Sequence, residues 1–240
     1  FDIGPKPVGP SQLTPLGVTA TATYHYDVTI LAKIAKLLNQ EDDYNLYNKL
    51  AADIKDAFNK KYFNNATKQY ATGSQTANAM AIFMNLVSPE FKNEVLKNIV
   101  EDIAQRNFSL TSGDIGYRYL LKVLEEGNEA EVIYKMNSRS DVPGYGYQLA
   151  KGATALTESW QAFPYVSNNH CMLGHLMEWL YGGLCGIKQS DSSVAFKEII
   201  INPQPVENIS FAEASYDSPY GKIRSAWKKT TDSFELEVEI

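Results

Sequence analysis

Cysteine and histidine are scarce in this chain, with two Cys and three His among 240 residues. So few soft and nitrogen ligands leave little material for a zinc centre or a disulfide framework. Cys171 and Cys185 would stand roughly 21 Å apart on one continuous helix, too far to bridge. His170 and His175 are separated by about 140° around such a helix, whereas zinc-binding helices place their pair four residues apart. No metal and no other cofactor is expected. Long apolar runs are missing too: residues 79–86 are too few, and residues 171–187 are interrupted by His175, Glu178 and glycines, so no membrane span is expected.

Positive charge is also short. Lys and Arg number 22 against 28 Asp and Glu, giving a net charge of −6, and the lysines are mixed with acidic residues along helix surfaces. A phosphate backbone would be repelled, so nucleic acid is not an expected partner. The glycine motifs that cradle phosphates are absent, since GYGYQL lacks the third glycine of a dinucleotide fingerprint and GLCGIKQS departs from a phosphate loop, and the serine-nucleophile motif GxSxG does not occur either. The opening FDIGPKPVGPSQLTP has neither the basic nor the apolar region of a signal peptide. Starting at Phe1, the sequence is expected to begin inside a longer protein, which leaves the compartment open.

An ordinary globular composition remains, 44% apolar and 21% charged. Residues 1–18, rich in Pro and Gly, read as an extended arm. Apolar residues then recur at three and four, as in Val28, Leu31, Ile34, Ala35 and Leu38, and again in Leu46, Leu50, Ile54, Ala57 and Phe58. Helices are expected over residues 19–40, 42–62, 75–86, 89–106, 113–126 and 129–139, with a seventh starting near Asn169. Residues 140–167 read as a long, functional loop. After Ser190 the pattern turns to period two, in FKEIIINPQP, ISFAEASYDSPYGKI, RSAWKKTT and SFELEVEI. The fold class is mainly α: paired helices of a toroid over residues 1–190, then an antiparallel β module over residues 191–240.

The chemistry concentrates between Gly146 and Ile187. Glu158 sits among Thr154, Thr157, Trp160 and Tyr165, shortly before Asn168, Asn169 and His170. A carboxylate that works as a base needs an orienting polar neighbour, and aromatic rings beside it offer a wall for a sugar. Two plainer readings stand beside this one. Glu158 in a helix's first turn would simply complement the dipole, and Tyr145, Tyr147, Trp160, Phe163 and Tyr165 would be core aromatics. Gln75, Thr76 and Asn78 at one helix start, and Thr111, Ser112 and Asp114 at another, are either sugar-hydroxyl ligands on one rim of the toroid or helix caps.

The ordered series SQLTPLGVTATATYHYD, YATGSQTANAMA, LTSGDIGYRYLL, GATALTESW, NHCMLGHLMEWLYGGLCGI and ASYDSPYGKI resembles the inverting bacterial α-L-rhamnosidases along nearly the whole chain. The resemblance implies part of an (α/α)6 toroid followed by a β-sandwich, and hydrolysis of terminal α-L-rhamnosyl residues from an oligosaccharide, polysaccharide or glycoside. The glutamate of the family's GATTxWExW motif falls on Glu158, which implies a general base that activates water. The histidine of the NHY motif falls on His170, implying contact with the sugar or the water, and Tyr145 falls where a tryptophan is usual. Trp160, Tyr147 and Asn169 complete the expected sugar pocket. The family's acidic DxxxRxExxGW motif, which holds the general acid, does not occur here, and Asp2 does not match it. The chain is therefore expected to carry half of a two-carboxylate site and to be inactive alone. Another enzyme on the same toroid, a glycosidase or a polysaccharide lyase, and a non-catalytic carbohydrate-binding module are the alternatives.

Overall fold

A computed structural model describes residues 12–240. Helix α1 (Leu16–Leu37) starts behind Pro15, whose φ of −59° suits a helix entry, and ends with Lys36 in its last turn. Helix α2 (Glu41–Tyr62) has Glu41, Asp42 and Asp43 in its first turn and Lys60 and Lys61 in its last. Both charge biases favour the helix dipole. A short ribbon, β1 (Phe63–Asn64) and β2 (Gln69–Tyr70), leads to α3 (Gln75–Phe83), capped by the Ser74 hydroxyl accepting from the Ala77 amide at 3.1 Å. A 3-10 turn at Pro89–Phe91 opens α4 (Lys92–Gln105), and α5 (Tyr117–Glu126) and α6 (Ala130–Ser138) follow. Two short helices come next, α7 (Tyr145–Ala150) and α8 (Leu176–Trp179), the second running into a π-helical turn at Leu180–Leu184.

The packing order shows the layers. Contacts run α1 to α3, α3 to α5 and α5 to α8, while α2, α4 and α6 pack outside α1, α3 and α5 respectively. This is the inner-and-outer pairing of an α/α toroid, and residue type follows the layer. Inner α3 is buried from Gln75 to Ile82, whereas outer α4 buries only Val95, Ile99 and Ile103, one stripe at a spacing of four.

Strands β3 (Ile187–Gln189) and β4 (Ile199–Ile201) pair antiparallel, and β5 (Phe211–Ser218), β6 (Gly221–Lys229) and β7 (Phe234–Glu239) form an antiparallel sheet in that order. This β module is bonded to the helices at their last turn. Trp227 Nε1 donates to the Leu184 carbonyl at 2.7 Å, and Ser225 Oγ donates to that of Cys185 at 2.7 Å. Glu125 on α5, 4% exposed, meets Lys188 Nζ of β3 at 2.8 Å and Lys122 Nζ at 3.4 Å. Between the layers Gly186 takes φ +77°, and a Cβ there would lie 2.2 Å from Pro203 N, so only glycine fits this turn.

Several elements differ from the sequence expectation. The arm expected over residues 1–18 falls mostly outside the described residues, as does Asp2, and Leu16–Val18 are already helical. The polar stretch before α3 holds the β1–β2 ribbon, which has too few residues to show a period. Helix α3 stops at Phe83 rather than near Leu86, because Asn85 turns into the left-handed region at φ 58°. The expected loop 140–167 contains α7. The seventh helix does not run from Asn169: a 3-10 turn at Cys171–Leu173 ends at Gly174, and only Leu176–Trp179 is α-helical. The single continuous helix assumed for the two cysteines is thus broken, and both thiols are free, Cys171 exposed and Cys185 buried. Among the described residues, no helix is long and apolar enough to cross a membrane.

Candidate active site

Glu158 lies in no helix. The reading as a first-turn residue that complements a helix dipole therefore lapses. Two backbone bonds instead pair its segment with the one that bears His170. The Glu158 amide donates to the Ser167 carbonyl at 2.8 Å, and the His170 amide donates to that of Leu156 at 2.9 Å. A Glu158 carboxylate oxygen, Oε2, also accepts from the Ser167 amide at 3.2 Å. The carboxylate is half-buried and oriented by backbone, and among the described residues no ion pair involves it.

Behind the loop stands a buried aromatic cluster. Trp160, 1% exposed, has its ring centroid 4.8 Å from that of Tyr117 and 5.3 Å from that of Tyr145. Its Nε1 donates to the Ser112 carbonyl at 2.6 Å, which ties the Glu158 loop to the segment opening α5. Two residues on, Asp114 Oδ2 lies 3.9 Å from His170 Nε2, beyond hydrogen-bond reach. That nitrogen and the Tyr145 hydroxyl are both buried without a hydrogen-bond partner of good geometry. Such groups are costly unless something supplies the missing bond. Burial pushes the Tyr145 hydroxyl up to about 12, so it keeps its proton at neutral pH and is able to donate.

The residues expected from the sequence therefore divide. Glu158 and His170 are brought together, with Tyr145 nearby. Trp160 has no open face and supports the Tyr145 ring from behind, since its indole is enclosed on the core side. Tyr147, half-buried on α7, has Lys151 Nζ 5.2 Å from its ring centroid. Asn169 is exposed, its amide donating to Ser167 Oγ at 3.3 Å. Four of the polar residues at the two helix starts, Gln75, Thr76, Asn78 and Ser112, are interior fasteners, whereas Asp114 is partly exposed, its Oδ1 accepting from the Ile115 amide at 3.1 Å. Gln75 Nε2 donates to Asp102 at 3.1 Å and its Oε1 accepts from the Thr111 amide at 3.1 Å, Thr76 Oγ1 donates to Ser112 Oγ at 3.0 Å, and Asn78 Oδ1 accepts from the Tyr70 amide at 2.9 Å. Their hydrogen-bonding capacity is spent on the fold, as expected for buried amides and hydroxyls.

Gln148 was not foreseen. From α7, 3% exposed, its Oε1 accepts from the Thr157 amide and its Nε2 donates to the Ser159 carbonyl, each at 3.4 Å, so it grips the backbone on both sides of Glu158. No sequence signal marks it, because one glutamine in a six-residue helix carries no period. Gln148→Leu is expected to cost about 1–3 kcal/mol in urea unfolding, since it strands the buried Thr157 amide. Among the described residues, no group of three His, Cys, Asp or Glu is placed to hold a metal ion.

Comparison with known proteins agrees along the whole length. Residues 3–184 match the family model described as the bacterial alpha-L-rhamnosidase 6 hairpin glycosidase domain, and residues 186–240 match the bacterial alpha-L-rhamnosidase C-terminal domain. An alpha-L-rhamnosidase of Formosa agariphila is 28% identical over 92% of this chain and 24% of its own length. The Streptomyces avermitilis alpha-L-rhamnosidase solved with L-rhamnose aligns at TM-score 0.88 and 25% identity, covering 96% of this chain and 23% of that one. The enzyme of Dictyoglumus thermophilum aligns at 0.86 and 33% identity, covering 95% and 27%. The chain thus spans about a quarter of the length of these relatives.

Proposed function

This chain belongs to the bacterial α-L-rhamnosidase family, and from that premise we propose that it supplies the general-base half of a site that hydrolyses terminal α-L-rhamnosyl residues with inversion. Supporting this reading is the juxtaposition of Glu158 and His170 by the paired segments 156–158 and 167–170. The half-buried carboxylate of Glu158 takes a proton from a water on one face of the sugar ring. The oxygen of that water bonds to the anomeric carbon as the glycosidic oxygen leaves from the other face. On this reading Tyr145 Oη and His170 Nε2, buried without a hydrogen bond of good geometry, bond sugar hydroxyls. The Glu158–Ser167 bond holds the carboxylate while the proton moves. Protonation of the leaving oxygen falls to an acid outside this chain, so residues 1–240 alone are expected not to turn over.

The test is the anomer released first. Full-length protein acting on an aryl α-L-rhamnoside is expected to yield β-L-rhamnose in the earliest proton NMR spectra, before mutarotation. Early α-L-rhamnose would reject inversion, and absence of any hydrolysis would reject the reading as a whole. A lyase on the same toroid would instead give an unsaturated product, and a binding module would bind rhamnoside without cleaving it.

A further inference from the structure

A groove of about 1180 Å³ lies where the helical layer meets the β module, with Tyr181 on its helical wall and Phe196 and Tyr216 on its β wall. It borders the C-terminal end of α5 at Glu125 and Glu126, whereas the Glu158 site borders the N-terminal end at Tyr117. Eight residues of helix, about 12 Å, separate Tyr117 from Glu125, so the two places are distinct. Backbone irregularities gather on both walls. Tyr181 sits in the π-helical turn at Leu180–Leu184, a geometry found mostly as single turns and often at functional sites. On the other wall Ala195 and Phe196 take φ 56° and 62°, two successive left-handed residues, and a side chain as bulky as phenylalanine keeps that conformation only where its surroundings enforce it. Here the Phe196 amide donates to Gln189 Oε1 at 2.8 Å, and the Glu198 amide donates to Ser193 Oγ at 2.8 Å. Phe196 is thereby set, half-buried, against Tyr216, with ring centroids 4.5 Å apart. Tyr181 and Tyr216 each remain 39% exposed.

We propose that this groove is a second glycan site, which holds a neutral oligosaccharide against Tyr181 and Tyr216 while the Glu158 site acts on a chain end. Charge decides the class of ligand. Both lysines that line the groove are spent on carboxylates: Lys188 Nζ lies 2.8 Å from Glu125 Oε1, and Lys122 Nζ lies 3.4 Å from Glu125 Oε2 and 3.5 Å from Glu178 Oε2. Glycine at 182 makes room for the Glu125 carboxylate, since a Cβ there would stand 3.1 Å from Oε1. With Glu126 and Asp191 adding negative charge at the same groove, a phosphorylated, sulfated or uronate ligand is repelled. An ammonium beside a carboxylate instead sets a donor next to an acceptor, the pattern that two neighbouring sugar hydroxyls match. The exposed rings cover the C–H faces of a sugar, as aromatic walls do in ligand pockets. The volume exceeds the roughly 300–1,000 Å³ of a small-ligand pocket and suits several sugar units. A glycan anchored there raises the concentration of its ends at the Glu158 site. That the sugar is rhamnose rests on the reading of Glu158 as the base; the chemistry of the groove does not.

The experiment uses full-length Glu158→Gln protein, so that sugar is not consumed, and a tetramer of α-linked L-rhamnose as the probe. Calorimetry in an excess of free L-rhamnose, which fills the Glu158 site, is expected to record one tetramer bound per chain. Tyr181→Ala and Tyr216→Ala, introduced singly, should each weaken that binding on the order of tenfold. Melting temperatures should stay near that of the parent, because both rings already face water. With Glu158 restored, the same two substitutions should leave kcat/KM on an aryl α-L-rhamnoside within about twofold. No tetramer bound in excess rhamnose, or binding that neither substitution alters, would overturn the groove as a glycan site. Lower melting temperatures in both variants with no tetramer bound would assign the groove to another part of the longer chain and reject the proposal. Tighter binding of a tetramer that alternates rhamnose with uronate would overturn the neutral class. Hydrolysis of the aryl substrate without tetramer binding rejects the groove and leaves the Glu158 reading standing. Tetramer binding weakened by both substitutions, in a protein that hydrolyses no rhamnoside, keeps the groove and rejects that reading.

Discussion

Glu158→Gln in the full-length protein is expected to lower kcat on an α-L-rhamnoside by about 10²–10⁴-fold, the range that positioned general bases supply. The substitution keeps the size of the side chain and an acceptor oxygen for the Ser167 amide, now 3.2 Å from Oε2, so the loop base should survive. What is lost is the ability to take a proton from water. KM should change little and the melting temperature should stay near wild type, separating a chemical loss from a folding loss. Added azide sharpens the result. As an anion it attacks the anomeric carbon without surrendering a proton, so it should restore turnover in the variant and give β-L-rhamnosyl azide. Undiminished hydrolysis by Glu158→Gln would remove this residue from the mechanism.

The largest effect on stability is expected at Trp160. Trp160→Ala removes a fully buried indole packed between Tyr117 and Tyr145 and should cost about 3–5 kcal/mol in urea unfolding. Trp160→Phe keeps most of the packing but strands the Ser112 carbonyl that Nε1 now reaches at 2.6 Å, an expected cost of about 1–3 kcal/mol. The two variants also decide what the ring does. Support from behind predicts that stability falls with kcat, as the Glu158 loop loses its anchor to the start of α5. A ring that touched sugar directly would instead leave Trp160→Phe stable and raise its KM.

Much of the helical layer was legible from periodicity. The apolar spacing along α1 and α2 marked their length within a few residues, because periodicity is a local property, although Leu31, Ile34, Leu38 and Leu46 of that pattern are exposed and α1 buries Val28, Ala32 and Ala35 instead. The period-two texture after Ser190 marked β5, β6 and β7 for the same reason. Misjudged elements were those where the local pattern was weak or a side chain was captured from afar. The stretch after Asn169 has a helix-like composition, yet its backbone breaks at Gly174 after the His170 amide pairs with Leu156, fourteen residues away. The polar helix starts read either as sugar ligands or as caps, and their partners turned out to lie inside the fold: Gln75 bonds Asp102 and the Thr111 amide, Thr76 bonds Ser112, and Asn78 accepts from the Tyr70 amide.

The candidate site shows the same division. Sequence alone determined the fold class and the family and singled out Glu158 as the candidate carboxylate, because ordered motifs and helical spacing are written in neighbouring residues. Tertiary structure alone decided that Glu158 sits in a loop rather than a helix turn, that Trp160 is enclosed while Tyr165 is open, that Gln148 grips both flanks of Glu158, and that Tyr145 Oη and His170 Nε2 are buried without a hydrogen bond of good geometry. Each of these depends on which groups at distant positions consume a donor, an acceptor or a ring face. That allocation is settled only when the layers pack, since burial makes every unpaired polar group costly and every enclosed ring unavailable.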